Sequence, residues 1–270
     1  MRAMEIGKIH PTALIDEGAQ VGRNVTIGAY TIVHAGVDLG DHSVVGPLCI
    51  LGEPAMEFYR EQLYKSPILS IGANALIRSH SVLYAGSSIG AYFQSGHRVT
   101  IRENSRLGHH VRVGTVSDIQ GDCTIGDHVS LHSNVHIGQK SRIGNYVWIF
   151  PYTVLTNDPQ PPSDTLLGVT VDDFAVIATM VVILPGVHIG HDALVGASSL
   201  VRSDVNPEAV VLGSPARQVA SIRDLKDKQT GFDIYPWREH FDRGMPWEGI
   251  DYADWATQRL DESMPGDVHG

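Results

Sequence analysis

The sequence predicts an all-β protein: a parallel β-helix of about nine triangular coils, two external loops and a small irregular or helical C-terminal tail. Two regularities carry that expectation. An aliphatic residue recurs every six positions, and a small residue sits two positions before each one. Ile9, Ile15, Val21, Ile27, Val33, Leu39, Val45 and Leu51 open the series, which resumes over Ile71–Leu155 and again over Ile177–Val201. Of 28 such hexads, 27 begin with Ile, Leu or Val, the exception being Ser95. Ala, Ser, Thr, Cys or Val fills the fifth position in 26, the exceptions being Phe93 and Pro159. A helical period of 3.6 does not fit such a series.

The fifth residue of one hexad and the first of the next are two apart, so they face one side of a strand. Each hexad is thus a short strand with one small and one aliphatic side chain inward. The second position, often Gly, falls at a corner, where glycine's conformational freedom is expected to help. Three hexads close one coil, and coils stack. Two segments interrupt the register and are read as external loops. Residues 57–70 include Phe58, Tyr59, Arg60 and Tyr64, and residues 161–176 include Pro161, Pro162, Asp164, Asp172 and Asp173.

The solenoid is assigned to residues 1–218 and the tail to 219–270. The tail holds Trp237, Trp247 and Trp255, and its last 50 residues carry 11 acidic and 6 basic side chains. Ser221–Lys228 is compatible with a short helix. Tyr235–Trp247 is too aromatic for disorder and is expected to pack on the solenoid, covering a strand edge. The last ten residues are expected to be disordered.

Composition excludes several classes. A net charge of −10 argues against a general nucleic-acid or anionic-membrane binder. Two cysteines exclude a disulfide scaffold, and both fall at the inward fifth position. The start shows no apolar leader and no run reaches ~18 apolar residues, which predicts a cytoplasmic protein.

Twelve of the 14 histidines lie within coils, and none occupies a first or fifth position. They all point outward, and the cluster from His97 to His136 is the strongest candidate. Residues 18 apart stack in columns. Arg78, Gly96, Gly114, His132 and Phe150 form one, with two glycines leaving a strip of about 14 Å free of side chains. That strip suits an extended ligand with an anionic part at Arg78 and a reacting group at His132; His97, Arg98 and Arg102 add positive charge. Tyr84, Tyr92 and Trp148 are aromatic residues suited to stacking a base. Asn157 and Asp158 close the long middle block on a different face from His132.

The hexads resemble those of the left-handed β-helix acyltransferases. Val187-His-Ile-Gly-His-Asp-Ala-Leu-Val-Gly-Ala197 and Gly213-Ser-Pro-Ala-Arg217 resemble their coenzyme-A-binding end. Gly96-His-Arg-Val-Thr-Ile-Arg-Glu-Asn104, Leu131-His-Ser-Asn-Val-His-Ile-Gly-Gln139, Val147-Trp-Ile-Phe-Pro-Tyr-Thr-Val-Leu-Thr-Asn-Asp158 and Tyr235-Pro-Trp237 are similar to nucleotide-linked 3-amino-sugar N-acetyltransferases of the dTDP-3-amino-3,6-dideoxyglucose type. The resemblance implies acetyl transfer from acetyl-CoA to a sugar amine in bacterial surface-glycan synthesis, and a homotrimer with active sites between subunits. It implies His132 and Asn157 as catalytic residues and no metal. Arg78, Tyr84, His97, Arg98 and Asp158 are then expected on the nucleotide sugar, and Ala178, Gly196, Ala197, Arg202 and Arg217 on the coenzyme. Two other readings compete: an acyl-carrier-protein-dependent UDP-N-acetylglucosamine O-acyltransferase of lipid A synthesis, and a γ-class carbonic-anhydrase-like zinc enzyme using His97, His132 and His136.

Overall fold

A computed structural model describes residues 7–60 and 65–263. Tyr64 and the final seven residues lie outside the described residues. Two-residue strands recur every six positions and pair in parallel with the strand 18 residues on, as in Leu14↔Ile32 and Ile15↔Val33. They assemble three sheets of 10, 9 and 11 strands. The first sheet begins at Leu14–Ile15, the second at Gln20–Val21 and the third at Thr26–Ile27. The chain visits them in that order once per coil.

The inward positions are those expected. Ile27, Leu51, Ile77, Ile101, Ile137 and Ile183 are all at most 1% exposed. Phe93 is fully buried despite its size, and Ser95 is buried in an aliphatic position beside it. The fifth-position hydroxyls explain their own burial. Ser117 Oγ donates to His132 O at 2.8 Å and accepts from Val135 N at 3.1 Å. Ser81 does the same with Arg78 O and Val99 N. A small polar side chain thereby satisfies backbone groups where the sheets break at a corner. Cys49 and Cys123 fill the same role, and burial pushes the Cys123 thiol up to about 11, which makes it inert.

Glycine's role differs from the expectation. Of the second-position glycines, only Gly52 has a positive φ, 82°. A Cβ on Gly72 would lie 2.5 Å from Ala91 N, and one on Gly28 equally close to Pro47 N. They are required by the close approach of the next coil, not by backbone freedom. The left-handed residues come two positions later and are mostly Asn, His, Tyr or other bulky types, among them His42, His80, His110 and His128 with φ of 55–64°.

The coil count and the loop ends are corrected. Thr170–Val171 is a strand paired with Arg142–Ile143, so the solenoid resumes by Val169 and not at Ile177. Asp172 and Asp173 are therefore corner residues; Asp173 accepts the Asn145 backbone N–H. Leu69–Ile71 likewise ends the first loop before Ser70. Pro159 leaves the core, and Ala209–Gly213 and Ala216–Ser221 extend the third sheet.

The chain divides into two compact units, Met1–Val219 and Ala220–Gly270. Within the second, Trp247 is 1% exposed and has ring neighbours in Trp237, Tyr252 and Trp255 at 5.0–6.0 Å. Its Nε1 donates to Phe241 O. The expected helix at Ser221–Lys228 is a single 3₁₀ turn, Ile222–Asp224, closed by a Ser221/Asp224 capping box, with Leu225 already extended. A helix instead forms at Tyr252–Ser263, α1, where Asp251 accepts the Ala253 N–H and Tyr252 and Trp255 face Trp247. It includes part of the segment expected to be disordered. No described helix is long and apolar enough to cross a membrane.

Candidate functional site

The predicted site residues fall on two edges of the prism. Arg78, His97, Arg98, His132, Ala178, Gly196 and Ala197 follow strands of the third sheet and precede strands of the first. Tyr84 ends the first-sheet strand Val82–Tyr84, and Asn157, Asp158 and Arg202 follow strands of the first sheet. Sheet one separates the two groups.

The edge between the third and first sheets carries a groove of about 260 Å³. Arg78, Gly96, Gly114 and His132 line it, as the 18-residue column predicts, together with Arg112 and Ser133. Gly96 and Gly114 lie so close to Thr115 and to the His132–Ser133 backbone that no Cβ fits. Their lack of side chains is a packing necessity that also leaves the groove open. Neither the Arg78 nor the Arg112 guanidinium forms an ion pair among the described residues, and both are exposed. Two such groups converging on one groove suit a phosphate or diphosphate.

His132 has a defined setting. Its backbone N donates to Ile149 O and its carbonyl accepts from Ser117 Oγ. The ring stacks on Phe150 with centroids 4.4 Å apart. Its Nε2 is buried without a hydrogen-bond partner among the described residues. Burial holds the imidazole below its ordinary pKa, which favours the neutral, proton-accepting form. His132 lines the arginine-bearing groove, and the neutral imidazole is the form that can accept a proton.

His97 Nδ1 lies 2.8 Å from Ser79 Oγ, and His136 Nδ1 lies 3.1 Å from Asp118 Oδ2. Those partners divert both rings from His132. Among the described residues no three His, Cys, Asp or Glu side chains come together to hold a metal, so the zinc reading lacks a donor set. Arg98 occupies a left-handed corner position with φ of 56°.

The other edge is distinct. The Arg102 guanidinium sits 5.5 Å above the Tyr84 ring and pairs with Glu103 through two bonds of 2.9 and 2.7 Å. Asp158 accepts from Ser163 Oγ and from the Ser163 and Gln160 backbone, and those bonds hold its carboxyl below the usual range. Its visible role is to fasten the second loop. Asn157 O accepts from Leu167 N at the same loop. Asn157 does not line the His132 groove.

Beyond Phe150 the His132 column continues through Ala178 and Gly196, each coil donating to the next, as in Phe150 N→Ile177 O and Ala178 N→Val195 O. Ala178 and Gly196 thus stand about 10 and 14 Å along the axis from His132. Arg217 lies apart from them, on a cavity of about 370 Å³ with Asp204, Asn206 and Gln218 at the end of the solenoid. Arg202 lies on the opposite edge of sheet one.

Arg112 escaped the sequence reading. Its column, Gln94–Arg112–Ser130–Trp148, lies two positions before the one containing His132, and those side chains also point outward. Applying the same 18-residue rule one outward position earlier would have found it.

Residues 8–53 match the family model for the bacterial transferase hexapeptide (six repeats). The chain is 25% identical over 219 residues to the acyl-[acyl-carrier-protein]–UDP-N-acetylglucosamine O-acyltransferase of Rhizobium johnstonii, covering 78% of this chain and 69% of that protein. It is 26% identical over 252 residues to the Bartonella henselae protein of the same name, covering 89% and 82%. The solved UDP-N-acetylglucosamine acyltransferase from Campylobacter jejuni shares the fold, with a TM-score of 0.52, 22% identity and coverage of 96% and 92%.

Proposed function

We propose that this hexapeptide-repeat acyltransferase, with the left-handed β-helix fold of such enzymes, N-acetylates the amino group of a nucleotide-linked amino-deoxyhexose using acetyl-CoA. The observation that carries the reading is His132: a ring fixed on Phe150, with an unpaired Nε2, beside two unpaired arginines. The arginines bind the diphosphate of the nucleotide sugar. In this reading the sugar amine lies toward His132 along the groove, in keeping with the Arg78–His132 column.

The amine nitrogen attacks the thioester carbonyl, forming the N–C bond. The tetrahedral intermediate collapses with cleavage of the C–S bond, and coenzyme A leaves as thiolate. The amine proton passes to the His132 imidazole and then to the thiolate. Such chemistry asks mainly for positioning, one proton acceptor and an oxyanion donor. Asn157 is assigned to the sugar or its amine. Ala178, Gly196 and Ala197 are assigned to the coenzyme because they continue the His132 edge.

A second reading has a specific observation behind it: both curated relatives are O-acyltransferases that act on UDP-N-acetylglucosamine. One experiment separates the two. Purified protein is given acetyl-CoA with dTDP- and UDP-linked 3-amino sugars, and separately acyl-carrier-protein thioesters with UDP-N-acetylglucosamine. Amide formation with release of free thiol supports the first reading. Ester formation only from the carrier-protein thioester replaces it.

A further inference from the structure

The corners of the coil are tight turns whose second central residue is left-handed, as at Tyr92, His110, Asn134 and Tyr152 with φ of 58–63°. Such a turn leaves the N–H of its first central residue without a partner inside the turn. Between the second and third sheets, side chains of the following coil accept those N–H groups in an unbroken series. Ala91 N donates to His109 Nδ1 at 3.1 Å, His109 N to Asp127 Oδ1 at 2.7 Å, Asp127 N to Asn145 Oδ1 at 2.9 Å and Asn145 N to Asp173 Oδ1 at 2.6 Å. On the edge of the groove, among the described residues, one such bond forms, from His97 N to Thr115 Oγ1 at 3.2 Å. The Ser133 N–H has no acceptor among the described residues. The residue 18 positions on is Pro151, whose ring offers none. An unpaired amide is ordinary where water reaches it; what sets this one apart is its surroundings. Ser133 is half-buried and lines the groove directly after His132. Its N packs on the bare Gly114, where an added Cβ would lie 2.4 Å away. The four N–H groups of the other edge all point to the following coil. The same turn aims the Ser133 N–H away from Arg112 and Arg78 and toward the coils of Ala178 and Gly196.

We propose that the Ser133 backbone N–H is the donor that stabilises the oxyanion of the tetrahedral intermediate. The inference deepens the acetyl-transfer reading and rests on it for the placement of the thioester. A nucleotide sugar held by Arg112 and Arg78 reaches His132 from one side, and a coenzyme laid along Ala178 and Gly196 brings its acyl carbon from the other. Ser133 stands at that junction. As the amine nitrogen bonds to the acyl carbon, the C=O π electrons move onto oxygen, and the N–H donates to that O⁻. The donor returns to its starting state when the C=O re-forms and the C–S bond breaks. The amide is fixed by its turn and by Gly114, so aligning it costs no reorganisation at the moment of reaction. A carboxylate at position 151, placed as Asp127 is for the His109 N–H, would occupy the donor; proline keeps it open.

Proline occupies this same turn position at Pro47 and Pro151, followed by Leu48 and Tyr152 with φ of 60° and 63°. Ser133→Pro therefore deletes one N–H from a turn that accepts proline. It is expected to fold by circular dichroism and to lower kcat by about 10²–10³-fold. KM for both substrates is expected to stay within about twofold, because the bond forms only in the transition state. Ser133→Ala keeps the N–H and is expected to lose far less than Ser133→Pro. Ala29→Pro, at the equivalent turn before Tyr30, introduces the same ring away from the groove and is expected to keep wild-type kcat. An ester in place of the His132–Ser133 amide, introduced through the α-hydroxy analogue of serine, removes the same N–H without a ring and decides the matter if Ser133→Pro does not fold. Unchanged kcat in folded Ser133→Pro or in the ester variant overturns the assignment. So does a loss in Ser133→Ala as large as that in Ser133→Pro. Both transfer readings pass through a tetrahedral intermediate on a thioester. If the wild type forms only an ester from the carrier-protein thioester, the acetyl-CoA reading falls, and the same kcat comparison on that reaction still decides Ser133. A wild type that transfers from neither thioester overturns both.

Discussion

Two histidine-bearing edges of one solenoid have opposite fates. On the edge between the second and third sheets, Tyr92, His110, His128, Tyr146 and Phe174 form a continuous ladder with centroids 4.5–5.2 Å apart. His110 and His128 there have aromatic rings on both faces. On the edge between the third and first sheets, His132 stacks on Phe150 on one side and meets a glycine strip on the other. The residue type and the coil geometry are shared. What differs is the neighbour one coil earlier: a ring in one column, glycine in the other. Stacking that completes a column builds stability. Stacking that stops at a glycine leaves room for a ligand.

The comparison breaks most sharply at His132. His132→Ala is expected to lower kcat/KM by about 10²–10⁴-fold with the fold retained; unchanged turnover in a folded variant refutes the site. On the ladder, Tyr146→Ala is expected to cost on the order of 3 kcal/mol in chemical denaturation while KM stays near wild type, because Tyr146 is buried between His128 and Phe174. A large KM change there would mean the two edges are not functionally separate. Arg78→Ala or Arg112→Ala is expected to raise KM for the nucleotide sugar about 10-fold, with kcat little changed and the loss masked at high salt. Equal losses in kcat would place them at the reacting centre instead.

The smallest effect is in pH. Burial lowers the His132 pKa, so the neutral ring persists below the ordinary imidazole value of about 6.5. The acidic limb of the kcat profile that belongs to His132 is therefore expected below that value and is expected to vanish in His132→Gln. His110 is also lowered, by burial first and then by the His109 and Arg112 charges. A depressed pKa on a base opposes folding as pH falls through the unfolded value, so the ladder loses stability in acid. His110→Phe is expected to flatten that acid dependence without moving the activity limb.

Much of this was legible in the chain. The six-residue period assigned inside and outside to nearly every residue between Ile9 and Val201, including both cysteines and the outward histidines. The column from Arg78 to His132 was also legible, because 18-residue stacking is arithmetic while no insertion intervenes. The resumption at Val169 was misplaced because Pro- and Asp-rich residues hide the small–aliphatic pair Val169/Val171. The reason for the glycines was misread, since a one-dimensional pattern shows a corner but not the approach of the next coil's backbone. In the tail, α1 depends on Trp247 packing, which no local period announces.

The sequence by itself determined which side of the wall each side chain occupies, because a coil is closed by contacts only 18 residues apart and a strand alternates every two. The tertiary structure decided what the outward groups do. Phe150 and Ala178 are neighbours although 28 residues separate them, since the loop between has a length the coil geometry does not fix. Whether an outward histidine meets a ring or a gap, and whether two arginines converge without a carboxylate between them, depends on the packing of successive coils, and only the folded solenoid brings those atoms together.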